Sequence, residues 1–119
     1  MASATLSGSA GGTRDVRALQ LDVRRNGNGA GVVVQLFGEL DVVTAPWLLD
    51  RMRETLSPAD RAVFLELSGL TFLDVAGVRA VVEVDDLVKR ADGKLEVRGL
   101  AGGPLSTARI LGLDMSRQV

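Results

Sequence analysis

Leu19, Leu21 and Val23 alternate with polar neighbours and lead into the turn-rich stretch Asn26 to Gly31. A period of two marks a strand with one buried face. Val32 to Phe37 is nearly all apolar, the pattern of a strand interior to a sheet, and the two strands make a hairpin. The period then changes. Thr44 followed by Pro46 reads as an N-cap with proline in the first turn; Trp47, Leu48, Met52 and Leu56 recur near helical spacing until Ser57-Pro58 stops the helix. Val63, Leu65 and Leu67 predict a third strand, with Phe64 on its other face. A second helix opens at the N-cap Asp74 and runs to Asp92-Gly93, where glycine is expected to supply the left-handed cap. Leu95 and Val97 mark a fourth strand and Pro104 to Leu111 a third helix. Leu113 to Val119 has the length for a short fifth strand.

A hairpin followed by alternating helices and strands is an α/β domain, with a mixed sheet of four or five strands and amphipathic helices packed on it. No internal repeat or second domain is visible. Residues 1–15 are rich in Gly, Ser, Ala and Thr and are expected to form a flexible N-terminal tail, leaving 16–119 as the folded domain. A chain of 119 residues with 46% hydrophobic and 24% charged residues can close one core without disulfides or metal.

Charge and side-chain chemistry narrow the function. A net charge of -1 gives no basic field for nucleic acid or an anionic membrane. With neither Cys nor His, the chain has no thiol nucleophile, no imidazole acid/base group and no usual zinc ligand set. The expectation is therefore no catalytic residue, no metal and no cofactor. No apolar run approaches the roughly 20 residues of a membrane helix, and the N-terminus lacks a basic region followed by an apolar one. A cytoplasmic protein without membrane insertion is expected.

Four segments together carry a resemblance: GELD at Gly38 to Asp41, the helix start Thr44 to Pro46, LELSGLTFLD at Leu65 to Asp74, and Gly77 in the following helix. In that order and at those separations the chain resembles the STAS domain family, and within it the bacterial anti-sigma factor antagonists, over about Leu19 to Leu113. The resemblance implies a non-catalytic module that binds an anti-sigma factor, often itself a serine kinase, and thereby frees a sigma factor in transcriptional or stress regulation. It places the partner-binding surface at Asp41, Thr44, Asp74, Val75, Ala76, Gly77 and Val78.

The residue after the strand-end Asp is commonly a phosphorylatable serine in that family; here it is Val75, followed by Ala76. A phosphate adds roughly -1.5 to -2 charge to a fitted interface, and neither residue has a hydroxyl to carry one. Ser68 and Thr71 lie nearby, but hydroxyls before a buried Phe72 usually bond local backbone. The missing acceptor leaves two readings: permanent partner binding regulated by level, or a scaffold, sensor or cytosolic transport-system subunit that meets no kinase.

Plainer roles stand beside these. Asp74 is first of all a helix cap, Asp41 terminates a strand and satisfies nearby amides, Gly77 gives close packing of helix on sheet, and Trp47, which could anchor a partner, is more simply core or a half-buried edge residue. In the second helix Val78, Val81, Val82, Val84 and Val88 form a wide apolar stripe around Asp85. Its simplest reading puts Val78 and Val82 beneath neighbouring loops and Asp85 at the rim. A phosphoacceptor receiver is the runner-up from another class, since Asp41 and Asp74 both sit at strand ends. Receivers need an acidic cluster for magnesium and a lysine at a later strand end, whereas lysine occurs only at Lys89 and Lys94 and the chain opens with a hairpin. Gly99 to Pro104 lacks a nucleotide-binding fingerprint.

Overall fold

The computed structural model of the chain describes residues 2–7, 18–25 and 31–112. Five strands, β1 (Ala2–Ser7), β2 (Ala18–Arg25), β3 (Val32–Leu40), β4 (Ala62–Leu73) and β5 (Lys94–Arg98), lie side by side in chain order. The β1–β2 and β2–β3 pairs are antiparallel, β3–β4 and β4–β5 parallel. A parallel neighbour demands a crossover, and α1 (Ala45–Thr55) and α2 (Val75–Arg90) supply the two; α3 (Gly102–Ile110) follows β5 and contacts β4. The mixed sheet expected from the change of period is the one observed.

Alternation decides the faces. Leu19 and Leu21 on β2, Val34 and Leu36 on β3, and Leu65 and Leu67 on β4 are all at most 1% exposed and pack with Leu48 and Met52 of α1 and Val81 and Val84 of α2. On the other face Phe64 is half-buried, with the Arg98 guanidinium 4.0 Å above its ring. Trp47 packs half-buried against the core, as its position on α1 suggests.

Four local expectations are corrected. Ala2–Ser7, read as part of a tail, pairs with β2 from Ala2↔Val23 to Ser7↔Ala18. The outer edge of β2 offers a row of backbone donors and acceptors, and a six-residue segment without charge or proline can take them up. The rest of the expected tail, 8–15, lies outside the described residues, as do the 26–30 turn and the suggested strand over 113–119.

The third strand runs to Leu73 and delivers Asp74 at its end as expected, with register shifts against β3 between Gln35 and Phe37 and between Gly38 and Glu39. Gly38 adopts φ 111° at the second shift. Beyond the shifts Leu70 and Leu73 point inward while Thr71 and Phe72 point out, so Phe72, expected buried, is exposed. The Thr71 hydroxyl donates to the Gly38 carbonyl across the strand pair at 3.2 Å.

After α2 the left-handed residue is Asp92 (φ 62°), not Gly93. Glycine is needed at 93 for space: a Cβ there would lie 2.9 Å from Val88 Cγ1 and 3.1 Å from the Asp60 carbonyl oxygen. On α2 itself Val78, Val81, Val84 and Val88 are buried, but Val82 is half exposed rather than covered by a loop. Asp85 sits at the rim as expected, 2.9 Å from Lys89 Nζ one turn on.

Candidate functional site

The ends of β3 and β4 lie in register, Leu40 beside Leu73, and each strand feeds a helix whose N-terminus opens at the same pole of the domain. Four N–H groups at each helix start need partners. At the first, the Asp41 carboxylate accepts from the amides of Val43 at 2.9 Å and Thr44 at 3.0 Å. Thr44 Oγ1 accepts in return from the Asp41 amide at 2.9 Å and donates to the Glu39 carbonyl at 2.8 Å. This reciprocal pair is a capping box with Asp41 at its head. Thr44, expected to be the N-cap, makes no side-chain bond into α1; its hydroxyl is spent backwards, on the strand end. Both residues are buried.

At the second helix Asp74 takes an extended conformation and its Oδ1 accepts the Gly77 amide at 2.9 Å, the cap read from the sequence. Val75 and Ala76 then form the first turn of α2. Gly77 and Val78 turn inward and are buried.

The seven sequence-derived candidates thus come together at one pole but divide by burial. Asp41, Thr44, Gly77 and Val78 are inside and shape the pole; Asp74 and Ala76 are partly exposed; Val75 is 48% exposed. Three residues outside that set complete the surface: Val42 (65% exposed), Val43 (46%) and Phe72 (44%). Two valines inside a capping turn, where polar residues are usual, were the available signal for the first pair. Phe72 carried none, because only the register shift in β4 turns it outward. A groove of about 270 Å³ joins the two helix starts, with Val42 and Pro46 on one side and Ala76, Arg79 and Glu83 on the other. Chemically the pole is apolar, with its carboxylates consumed as caps. Asp41, which a receiver would present for phosphorylation, is 1% exposed and bound to its own turn.

Comparisons with known proteins agree with this architecture. Residues 23–117 match the family model described as Mlab, STAS domain. An anti-sigma factor antagonist from Mycobacterium paratuberculosis superposes with a TM-score of 0.70 at 22% identity, covering 82% of this chain and 81% of that one. The STAS domain of an antisigma-factor antagonist from Rhodobacter sphaeroides gives 0.63 at 13% identity, over 72% of this chain and 94% of that one. The Bacillus cell fate determinant SpoIIAA in its phosphorylated form gives 0.63 at 18% identity, over 83% and 88%. No curated protein matches the sequence. Among the described residues no helix is long and apolar enough to cross a membrane.

Proposed function

This chain belongs to the STAS domain family, and from that premise we propose that it is an anti-sigma factor antagonist: a non-catalytic bacterial module that binds an anti-sigma factor in the cytoplasm and so regulates transcription. The observation that carries the reading is the apolar pole. Val42, Val43, Phe72 and Val75 expose large apolar side chains around two capped helix starts, where burial by a partner is favourable at about 25 cal/mol per Å². Solved proteins that share the fold bear the description anti-sigma factor antagonist. The partner-binding set is Asp74, Val75 and Ala76 at the surface, supported by Asp41, Thr44, Gly77 and Val78 beneath. A serine-kinase-type anti-sigma factor docked here finds no hydroxyl at Val75 or Ala76, so binding is not switched by phosphorylation at that position. The test is calorimetric titration against the anti-sigma factors of the source genome. A one-to-one complex that releases a sigma factor supports the reading, and the absence of binding to all of them refutes it.

The same Val75 favours a second reading, a STAS subunit of a scaffold, sensor or transport assembly that never meets a kinase. Stoichiometric copurification with a membrane complex, and not with an anti-sigma factor, would establish it.

A further inference from the structure

The pole opposite Val75 holds a cavity of about 230 Å³ between the last turns of α1 and α2 and the 56–61 connection. The 16 residues of α2, at about 1.5 Å each, separate the two poles by about 24 Å. Met52, Val63 and Val88, all buried, form the floor, and Leu56, Pro58 and Leu87 the walls. An apolar cavity of about 150 Å³ holds a benzene ring, so in proportion this one takes an apolar body of roughly nine carbon atoms. A methionine in the floor adapts to its shape.

Hydrogen-bonding capacity at the mouth decides the head group. Several acceptors there are already engaged. The Asp60 carboxylate receives Arg25 Nη2 at 2.9 Å and the Ser57 amide at 2.9 Å. The Thr55 carbonyl receives Arg25 Nη2 at 2.7 Å, and the Val88 carbonyl receives the amides of Ala91 and Gly93. One donor is left over. Among the described residues Arg53 is held by a 3.5 Å contact to the exposed Asp50, whereas the Ser57 hydroxyl accepts from the Ala59 amide at 3.3 Å and is itself turned to the Asp60 carboxylate. A ligand that completes this mouth brings an acceptor, and a guanidinium selects an anionic one. We propose that the cavity is a binding site for a small amphipathic carboxylate, its apolar body of up to about nine carbons on Met52, Val63 and Val88 and its head group on Arg53.

Octanoate is the probe, titrated into the full chain with methyl resonances as the readout and 1-octanol as the neutral match. Saturable one-site shifts at the Met52, Val63 and Val88 methyls are expected. Arg53→Met should weaken octanoate about tenfold while leaving octanol unchanged, and Ala91→Leu, which fills the cavity, should abolish both. Because Arg53 is on the surface, its variant keeps the test decisive even if the filled variant fails to fold. No saturable shift below the concentration at which octanoate aggregates, equal octanoate affinity in Arg53→Met, or shifts centred on Val75 would each overturn the proposal.

Discussion

Gly77 lies directly against the backbone of Leu40: a Cβ at position 77 would stand 2.4 Å from the Leu40 carbonyl oxygen and 2.7 Å from Leu73 Cδ1. Backbone meets backbone here, and the Asp74 amide reaches the same oxygen at 3.4 Å. The first turn of α2 is thereby pinned to the end of β3, which sets how far Val75 and Ala76 stand above the strand ends. Gly77 serves the pole by spacing rather than by contact.

Gly77→Ala should therefore overpack the joint. Insertion of a methyl into a tight backbone contact costs about 1–3 kcal/mol, and in a domain of this size each kcal/mol lowers the melting temperature by roughly 4 °C. A thermal melt measures it. If the melting temperature stays at the wild-type value, α2 can slide outward freely and its position is not fixed by this contact.

Asp41 and Asp74 both cap helices, but unequally. Asp41→Ala strands two amides, that of Val43 part-buried and that of Thr44 buried, at a cost of about 2 kcal/mol, whereas Asp74→Ala loses one part-buried amide partner, about 1 kcal/mol. Asp41→Asn keeps the accepting oxygen and should stay near wild type. Denaturant midpoints rank the three variants. A more damaging effect of Asp74→Ala than of Asp41→Ala would contradict the capping assignment.

The elements with a sustained period were legible from the chain itself. Leu19, Leu21 and Val23 announced their face, and the α2 valines announced theirs. What the sequence hid depends on three-dimensional register. Phe72 is outside only because two shifts against β3 re-phase the end of β4. Ala2–Ser7 becomes a strand because β2 has an open edge to receive it, a property of the sheet and not of the segment. Thr44 and Asp41 exchanged capping roles because both residue types suit the task and only geometry chooses between them.

Asp60 predicts an acid dependence. The hydrogen bond from the Arg25 side chain, followed by the Ser57 amide and the Arg25 charge, holds its carboxyl below the usual carboxylate range against the opposing effect of burial. A depressed folded-state pKa contributes stability that is fully present above the unfolded value, about 3.9, and is lost as pH falls through the folded one. Arg25 is 45% exposed, so solvent screening keeps the pair's own contribution to about 1 kcal/mol or less. Asp60→Asn should be less stable than wild type at pH 7, and the difference should shrink as pH drops below about 4. Denaturant unfolding at several pH values checks it, and a difference independent of pH would assign the loss to packing instead.

Val75 separates binding from folding. If the apolar pole meets the anti-sigma factor, Val75→Glu buries an unpaired carboxylate in the interface at about 3–5 kcal/mol, a loss of a hundredfold or more in affinity. Folding should be nearly untouched, because Val75 is 48% exposed in the free protein and a carboxylate in the first turn of a helix suits the positive end of its dipole. Val75→Ser should keep most of the affinity, since it adds no charge, and it would give a kinase-type partner an acceptor hydroxyl; intact mass after incubation with that partner and ATP reads out the transfer. Calorimetric titration of wild type and both variants, with melts alongside, distinguishes the cases. Equal affinity for Val75→Glu and wild type would place the partner elsewhere on the domain and move the transport or scaffold subunit ahead of the anti-sigma factor antagonist.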